Sequence, residues 1–277
     1  MTNTIKRLLL FFLAIPLLII IILYLPQYGH LGIVLLMVVV GLICGFEMRS
    51  MLGIAAAPLP LWTVLIPGLS PAAAWAVNMG LLPMYAVSTA FVVLIIWAFA
   101  DGVFIREDEF DKGIVRMGSR LLMIIYPAWL FWWVARLTWF ENAHIVMLIY
   151  MLTVYLNDSL AWFFGMLFGR HRNIVAVSPN KSLEGFLGGM LSSVAVILIS
   201  AHFYPEIFPH PYWQLILFGV AAAFTTTIGD LVESALKRAV GVKDSGHVIP
   251  GRGGMLDSID SVLFTAPVFV LFLQLAV

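Results

Sequence analysis

The chain has 277 residues, 62% of them hydrophobic and 11% charged, with a mean hydropathy of +1.03. Soluble domains are nearer half apolar and a quarter charged, so the composition excludes a water-soluble globule and describes a polytopic membrane protein with no sizeable soluble module. A formal net charge of zero gives no signal for nucleic acid, and a single cysteine, Cys44, excludes an internal disulfide and a cysteine-based zinc centre.

Lys6 and Arg7 precede an apolar run, Leu8–Leu25. The run is longer than a signal-peptide core and no small-x-small cleavage site follows, so it reads as an uncleaved first transmembrane helix. A span needs about 20 mainly apolar residues. That rule predicts further spans at Leu31–Phe46, Leu52–Leu69, Pro83–Ala100, Leu121–Trp139, Ile145–Phe168, Gly185–Phe203, Trp213–Ile228 and Val262–Ala276. Pro71–Gly80 reads as either a further short helix or a re-entrant one. The expected fold is an all-α polytopic membrane protein of about nine transmembrane helices, N-terminus cytoplasmic and C-terminus outside. It divides into N-terminal helices with a cytoplasmic loop, residues 1–120, and a C-terminal catalytic region, residues 121–277, within one membrane domain. With that topology every one of the fifteen Lys and Arg except Arg136 falls on the cytoplasmic side, a strong positive-inside pattern. Trp132, Trp133, Trp139, Tyr204, Tyr212 and Trp213 fall at span ends, as interfacial anchors do. The mixed-charge stretch Asp101–Arg120 reads as a solvated loop or surface helix.

Polar residues inside this frame are the functional candidates, because the bilayer penalises buried charge. Asn157 and Asp158 interrupt the run Ile145–Phe168. An intramembrane Asp is expected to face the bundle interior, with Lys181 as its candidate partner, or Lys181 as a contact for a substrate phosphate. Ser178-Pro179-Asn180 reads as a turn, with Ser182 or Asn180 capping the next helix through Glu184. Arg170, His171 and Arg172 read as flanking positive charge.

The densest cluster lies between Thr225 and Ser261. Asp230, Glu233, Ser234 and Lys237 recur at i, i+3, i+4 and i+7, one helical face. A wet cavity, an ion, or an exposed amphipathic surface helix would each accommodate that stripe. Asp257, Asp260 and Ser261 share another face. Carboxylates one turn apart repel unless a cation is near, and oxygen-only ligands favour Mg²⁺ held with substrate phosphates; helix capping accounts for one of these acids. Between the two lies a Gly-rich turn, Pro250 to Gly254, whose amides suit a phosphate. Lys243 before it and Arg252 within it can supply charge. His247 reads as a loop histidine.

The run GDLVESALKRAVGVKDSGHVIPGRGGMLDSIDS resembles the signature of phosphatidate cytidylyltransferases (CDP-diacylglycerol synthases): S-x-x-K-R, then K-D-x-G, then P-G-H-G-G-x-x-D-R-x-D. Ser234, Lys237, Arg238, Lys243, Asp244, Gly246, Pro250, Gly251, Gly253, Gly254, Asp257 and Asp260 match it. The pieces ND-x-x-A-(Y/W)-x-x-G and SPNKS-x-EG are similar too, and in the same order. Arg252 stands where the family usually has His, and Ser258 where it has Arg. The resemblance implies transfer of CMP from CTP to phosphatidate, giving CDP-diacylglycerol and pyrophosphate in phospholipid biosynthesis. It implies Mg²⁺ held by Asp230 and Asp257, with Glu233 as a further ligand candidate, and a second, monovalent cation such as K⁺. Asp230, Asp257, Asp260 and Lys237 become the expected catalytic residues. Lys181, Asn180, Ser178, Asp158, Ser234, Arg238, Lys243, Asp244, Arg252, Gly253 and Gly254 become the expected substrate contacts, Arg252 replacing the missing Arg at a phosphate. A homodimer in the bacterial inner membrane, its site facing the cytoplasm, is the corresponding assembly. Three alternatives stand beside this reading: a CTP-dependent enzyme acting on another lipid (a polyprenol or phytol kinase, or a CDP-archaeol synthase), a transporter with an acidic cation path, and a non-catalytic paralogue.

Overall fold

The computed structural model describes residue 13 and residues 16–275 except 56, 57, 106, 250 and 252, with only the backbone at 108 and 109. The described chain is helical, with two isolated β-bridges and no named strand. In chain order the helices are α1 (residues 16–24), α2 (Gln27–Ala55), α3 (Leu65–Asn78), α4 (Met84–Val103), α5 (Gly113–Met123), α6 (Leu130–Arg136), α7 (Ala143–Phe168), α8 (Leu183–Phe203), α9 (Tyr212–Ala239) and α10 (Leu256–Gln274). Seven helical tracks among the described residues are long and apolar enough to cross a membrane: α2, α4, α7, α8, α9, α10 and the continuous stretch Phe110–Trp139. The N-terminal part of the expected first span, Lys6 and Arg7 included, lies outside the described residues.

Two sequence expectations change. Leu52–Leu69 is not one span. The chain leaves α2 at Ala55, passes Pro58 and Pro60 in non-helical backbone, and re-enters through a 3-10 turn, Leu61–Val64, into α3. Proline removes an amide and restricts the residue before it, so two prolines two apart end the helix. The ambiguous Pro71–Gly80 region forms the second half of α3, with Pro71 inside the helix. Asp101–Arg120 is likewise more than a solvated loop or surface helix: Phe110–Lys112 are exposed and a helix follows from Gly113, but that helix is tied back to α4. Asp101 lies in the last turn of α4 and accepts from Arg116 Nε at 2.8 Å and Arg120 Nε at 2.6 Å, and Arg120 is 1% exposed. A buried guanidinium demands a carboxylate, and this pair ties α4 to α5.

The contact pattern divides the chain into two compact units, Met1–Trp139 with Leu236–Ser258, and Phe140–Ala235 with Ile259–Val277. In the first, α2 and α3 pack closely because Gly41 and Gly45 present no side chain: a Cβ there would strike the carbonyls of Pro67 and Val64. Such small-residue spacing lets membrane helices approach where no hydrophobic force drives them together. α5 passes into α6 through a π turn, Ile124–Trp129, around Pro127, the wider turn accommodating the missing amide.

In the second unit α7 and α8 pair by the same device. Gly185 and Gly189 face the carbonyls of Ala161 and Asn157, and Asn157 Nδ2 donates to Ser193 Oγ at 2.9 Å. α9 meets the membrane part of α10 through Thr226 and Thr265, 2.9 Å apart, and through Phe218 stacked on Phe272. Tyr150 on α7 donates its buried hydroxyl to the Val262 carbonyl.

Candidate active site

The loop Val242–Met255 between α9 and α10 gathers the polar side chains of the first unit. Ile249 and Gly253 exchange backbone hydrogen bonds of 2.9 and 3.1 Å, closing a tight hairpin. Gly251 and Gly253 occupy positive φ, 80° and 116°, a region costly for any residue with a Cβ. Pro250 and Arg252 lie outside the described residues. Below the hairpin sits Asp257 in the first turn of α10. Its Oδ2 accepts from the Ser245 amide and the Gly254 amide, both at 2.8 Å, and Ser245 Oγ lies 3.0 Å away. Its Oδ1 faces Lys237 Nζ at 2.5 Å, side chains 8% and 14% exposed. One carboxylate thus has one oxygen fixed by backbone and the other charge-paired.

The loop turns back on α2. Glu47, 6% exposed, accepts from the Met255 amide on Oε1 and the Leu256 amide on Oε2, each at 2.8 Å, and from Ser245 Oγ at 3.0 Å. These are orphan donors that every helix start must satisfy. A Cβ on Gly246 or Gly254 would collide with this carboxylate, which explains why the loop is glycine there. Glu47 and Ser245 are the residues that sequence reasoning missed; the one signal was an acid closing the apolar run Leu31–Phe46. Ser258, where the resembled signature has Arg, turns its hydroxyl to the Gly254 carbonyl at 3.3 Å. Lys243, Asp244 and Arg238 are exposed.

In the second unit the turn Ser178–Lys181 is closed by the Lys181 amide on the Ser178 carbonyl at 3.2 Å, with Asn180 exposed beside it. Lys181 reaches Asp230 Oδ2 at 2.6 Å. Its partner is Asp230, not the expected Asp158. Asp158 is exposed within this unit, and its neighbour Asn157 is the residue that turns inward, because adjacent helical positions point about 100° apart. Asp230 Oδ1 has Ser234 Oγ at 3.4 Å. One helical turn on, Glu233 is fully buried, and Asp260 is 7% exposed with its Oδ1 on the Ser261 amide. Gly229 lets α9 approach the Asp260 carbonyl. The stripe predicted on α9 is therefore not a solvated surface.

Ser182 caps α8, accepting from the Gly185 amide at 3.1 Å. Glu184 does not close a capping box. Its carboxylate accepts from the Arg170 and His171 amides and pairs with His171 Nδ1 at 2.6 Å. Arg172 donates to the Gly165 and Gly169 carbonyls, satisfying the C-terminal end of α7 as basic residues do.

The chemistry of this donor set is carboxylates, lysines, hydroxyls and amides. Among the described residues no three His, Cys, Asp or Glu side chains form a metal-binding group. Mg²⁺ needs only one or two carboxylates together with substrate phosphates. Asp230, 40% exposed and lightly hydrogen-bonded on Oδ1, retains acceptor capacity for one, so the donor set fits.

Residues 5–276 match the model of a family described as the Cytidylyltransferase family. Among curated proteins the chain is similar to the phosphatidate cytidylyltransferase of Staphylococcus saprophyticus, 40% identical over 136 residues, 49% of this chain and 51% of the relative. It is 42% identical over 125 residues to the protein of that name from Staphylococcus haemolyticus, 45% of this chain and 47% of the relative. The protein of that name from Staphylococcus aureus is 38% identical over 133 residues, 48% of this chain and 50% of the relative. The chain spans about half the length of the curated relatives it matches.

Proposed function

This chain belongs to the cytidylyltransferase family, and from that premise we propose that it transfers CMP from CTP to phosphatidate, releasing pyrophosphate and forming CDP-diacylglycerol. The observation that carries this reading is Asp257: a carboxylate at a membrane helix start, one oxygen held by two amides and the other 2.5 Å from Lys237. An acid pinned on one side and charge-paired on the other is pre-organised for phosphate chemistry, where positioning and charge neutralisation replace a covalent nucleophile.

In the proposed reaction a phosphatidate oxygen attacks the α-phosphorus of CTP and the pyrophosphate oxygen leaves in line. Lys237, Arg238, Lys243 and Lys181 are each proposed as a contact for phosphate oxygens. Ser178 and Asn180 shape the turn that presents Lys181. Asp257 and Asp230 are each proposed as a donor to Mg²⁺, which when bound supplies charge neutralisation on the phosphates. Lys181 and Lys237 pair with Asp230 and Asp257; were these acids to hold Mg²⁺, the two ammonium groups would be placed to neutralise phosphate oxygens. Glu233 is proposed as a further Mg²⁺ ligand and Asp260 as a further catalytic acid, both of them buried. A monovalent cation, the homodimer and a cytoplasmic-facing site in the bacterial inner membrane belong to the same proposal, of which the apolar helices support the placement in a membrane.

Purified protein in detergent with labelled CTP, phosphatidate and Mg²⁺ tests it. The expected product is CDP-lipid, abolished by EDTA and lowered at least 1,000-fold in Asp257→Ala, with the variant still monodisperse. Release of CDP with a phosphorylated lipid would reassign the chain to a CTP-dependent kinase, and CDP-lipid formation undiminished in Asp257→Ala would remove the assignment of Asp257.

A further inference from the structure

Glu47 is a buried acid that the proposed chemistry leaves unused. A carboxylate out of water is unfavourable without compensation. Here the compensation is the positive end of α10, through the Met255 and Leu256 amides at 2.8 Å, and the Ser245 hydroxyl at 3.0 Å. Hydrogen bonds to an ionised acceptor are about twice as strong as neutral ones, and a helix N-terminus favours a negative charge. The cap thus comes from α2, 209 residues away along the chain from Leu256, where helices ordinarily take it from the residue before their first turn.

The same hydroxyl lies between two acids. Ser245 Oγ is 3.0 Å from Glu47 Oε2 and 3.0 Å from Asp257 Oδ2. A serine hydroxyl has one proton to donate, so it serves one carboxylate at a time. The Ser245 amide donates to Asp257 as well. Glu47 and Asp257 therefore grip one short segment from opposite ends. Gly246 and Gly254 leave the space that Glu47 fills.

We propose that Glu47 is the positioning residue for Asp257: it anchors the segment Ser245–Leu256 to α2 and, through Ser245, sets the orientation of the Asp257 carboxylate. For its effect on turnover this rests on the cytidylyl-transfer reading above; the anchoring of the loop does not. Loss of the Glu47 charge weakens the amide bonds to Met255 and Leu256 and frees the Ser245 proton wholly for Asp257, so the carboxylate leaves its working geometry while the helices stay packed.

Two measurements on the full-length protein in detergent micelles test this. In amide hydrogen exchange, Glu47→Gln is expected to speed exchange at least tenfold at Ser245 and Gly254–Leu256, with α7 and α8 unchanged. In the CDP-lipid assay it is expected to lower kcat at least tenfold with the KM for phosphatidate within twofold. Ser245→Ala keeps the two amide bonds to Glu47 and is expected to lower kcat while leaving exchange at Met255 and Leu256 as in the wild type. The double variant is expected to fall no more than about threefold below the worse single one, because both act through one link. Unchanged loop exchange in Glu47→Gln overturns the anchoring. Loosened exchange with unchanged kcat, or a double variant whose losses multiply, overturns the positioning of Asp257. Should the wild type make no CDP-lipid, the activity reading falls by itself, and the exchange result still decides whether Glu47 holds the loop. Should Glu47→Gln fail to fold, an unchanged kcat in Ser245→Ala overturns the link.

Discussion

Lys237 and Lys181 each stand against a carboxylate, but burial separates them. The Lys237–Asp257 side chains are 14% and 8% exposed, the Lys181–Asp230 side chains 33% and 40%. Solvent screening leaves an exposed pair worth about 0–1 kcal/mol, whereas a charge-assisted bond in a drier site is worth about 1.5–3 kcal/mol. Lys237→Met is therefore expected to lower stability measurably in detergent thermal unfolding, and Lys181→Met to change it little, although both are expected to lower CDP-lipid turnover at least tenfold. A larger loss of stability in Lys181→Met would contradict this ranking. Glycine positions separate in the same way. A methyl at Gly254 meets Ser245 and Glu47, while at Gly118 on α5 it meets nothing. Gly254→Ala is expected to cost about 1–3 kcal/mol as overpacking. Gly118→Ala is expected to gain about 0.5–1 kcal/mol from helix propensity. Urea titration of the two variants checks the sign. The glycines of this loop were visible in the sequence as a turn, but nothing in their spacing named Glu47 as the atom set they make room for.

Helix ends and helix faces carry the element scale. Ser182 caps α8 as its position before an apolar run foretells, and Ser182→Ala is expected to cost about 1 kcal/mol, read as a lowered unfolding midpoint. Glu184 instead binds the amides of residues 170 and 171, since with Ser182 as the cap the capping-box position falls on Gly185. Between α7 and α8 the contact depends on missing side chains. Gly185→Val places a branched group against the Ala161 carbonyl and is expected to cost more than Asn157→Ala. The Asn157–Ser193 bond is worth about 0.6 kcal/mol by the average for membrane helices. The reverse order in thermal unfolding would show that the polar bond, not the close approach, holds the pair. The kink at Tyr28–His30, with φ between 52° and 66°, and the break at Pro58 and Pro60 set where α2 begins and ends. Only the prolines announced themselves in the sequence.

At the scale of the whole molecule the distribution of charge predicts topology. With α8 crossing the membrane, the segments 169–182 and 204–211 are expected on opposite faces, the first with the Lys- and Arg-rich side. Cysteines placed at exposed Ala176 and Glu206, as Ala176→Cys and Glu206→Cys in a Cys44→Ala background, test this in intact cells. An impermeant maleimide is expected to label position 206 and to label position 176 only after permeabilisation. Labelling of both from outside would remove α8 as a crossing helix and with it the cytoplasmic placement of Lys181.

Sequence alone was enough for the class, an all-helical polytopic membrane protein, for the turn at Ser178–Lys181 and for the acid–glycine–acid order around Asp257, while its nine expected spans became seven long apolar tracks among the described residues. These follow from hydropathy, proline and glycine, which act locally along the chain. The tertiary structure alone decided which acid each lysine meets, that Asn157 and not Asp158 turns inward, that Arg120 is buried against Asp101, and that Glu47 caps α10. Each of those is a pairing of groups distant in sequence. In an apolar interior every buried charge and orphan amide must find a partner, and which partner it finds depends on helix packing that local sequence does not encode.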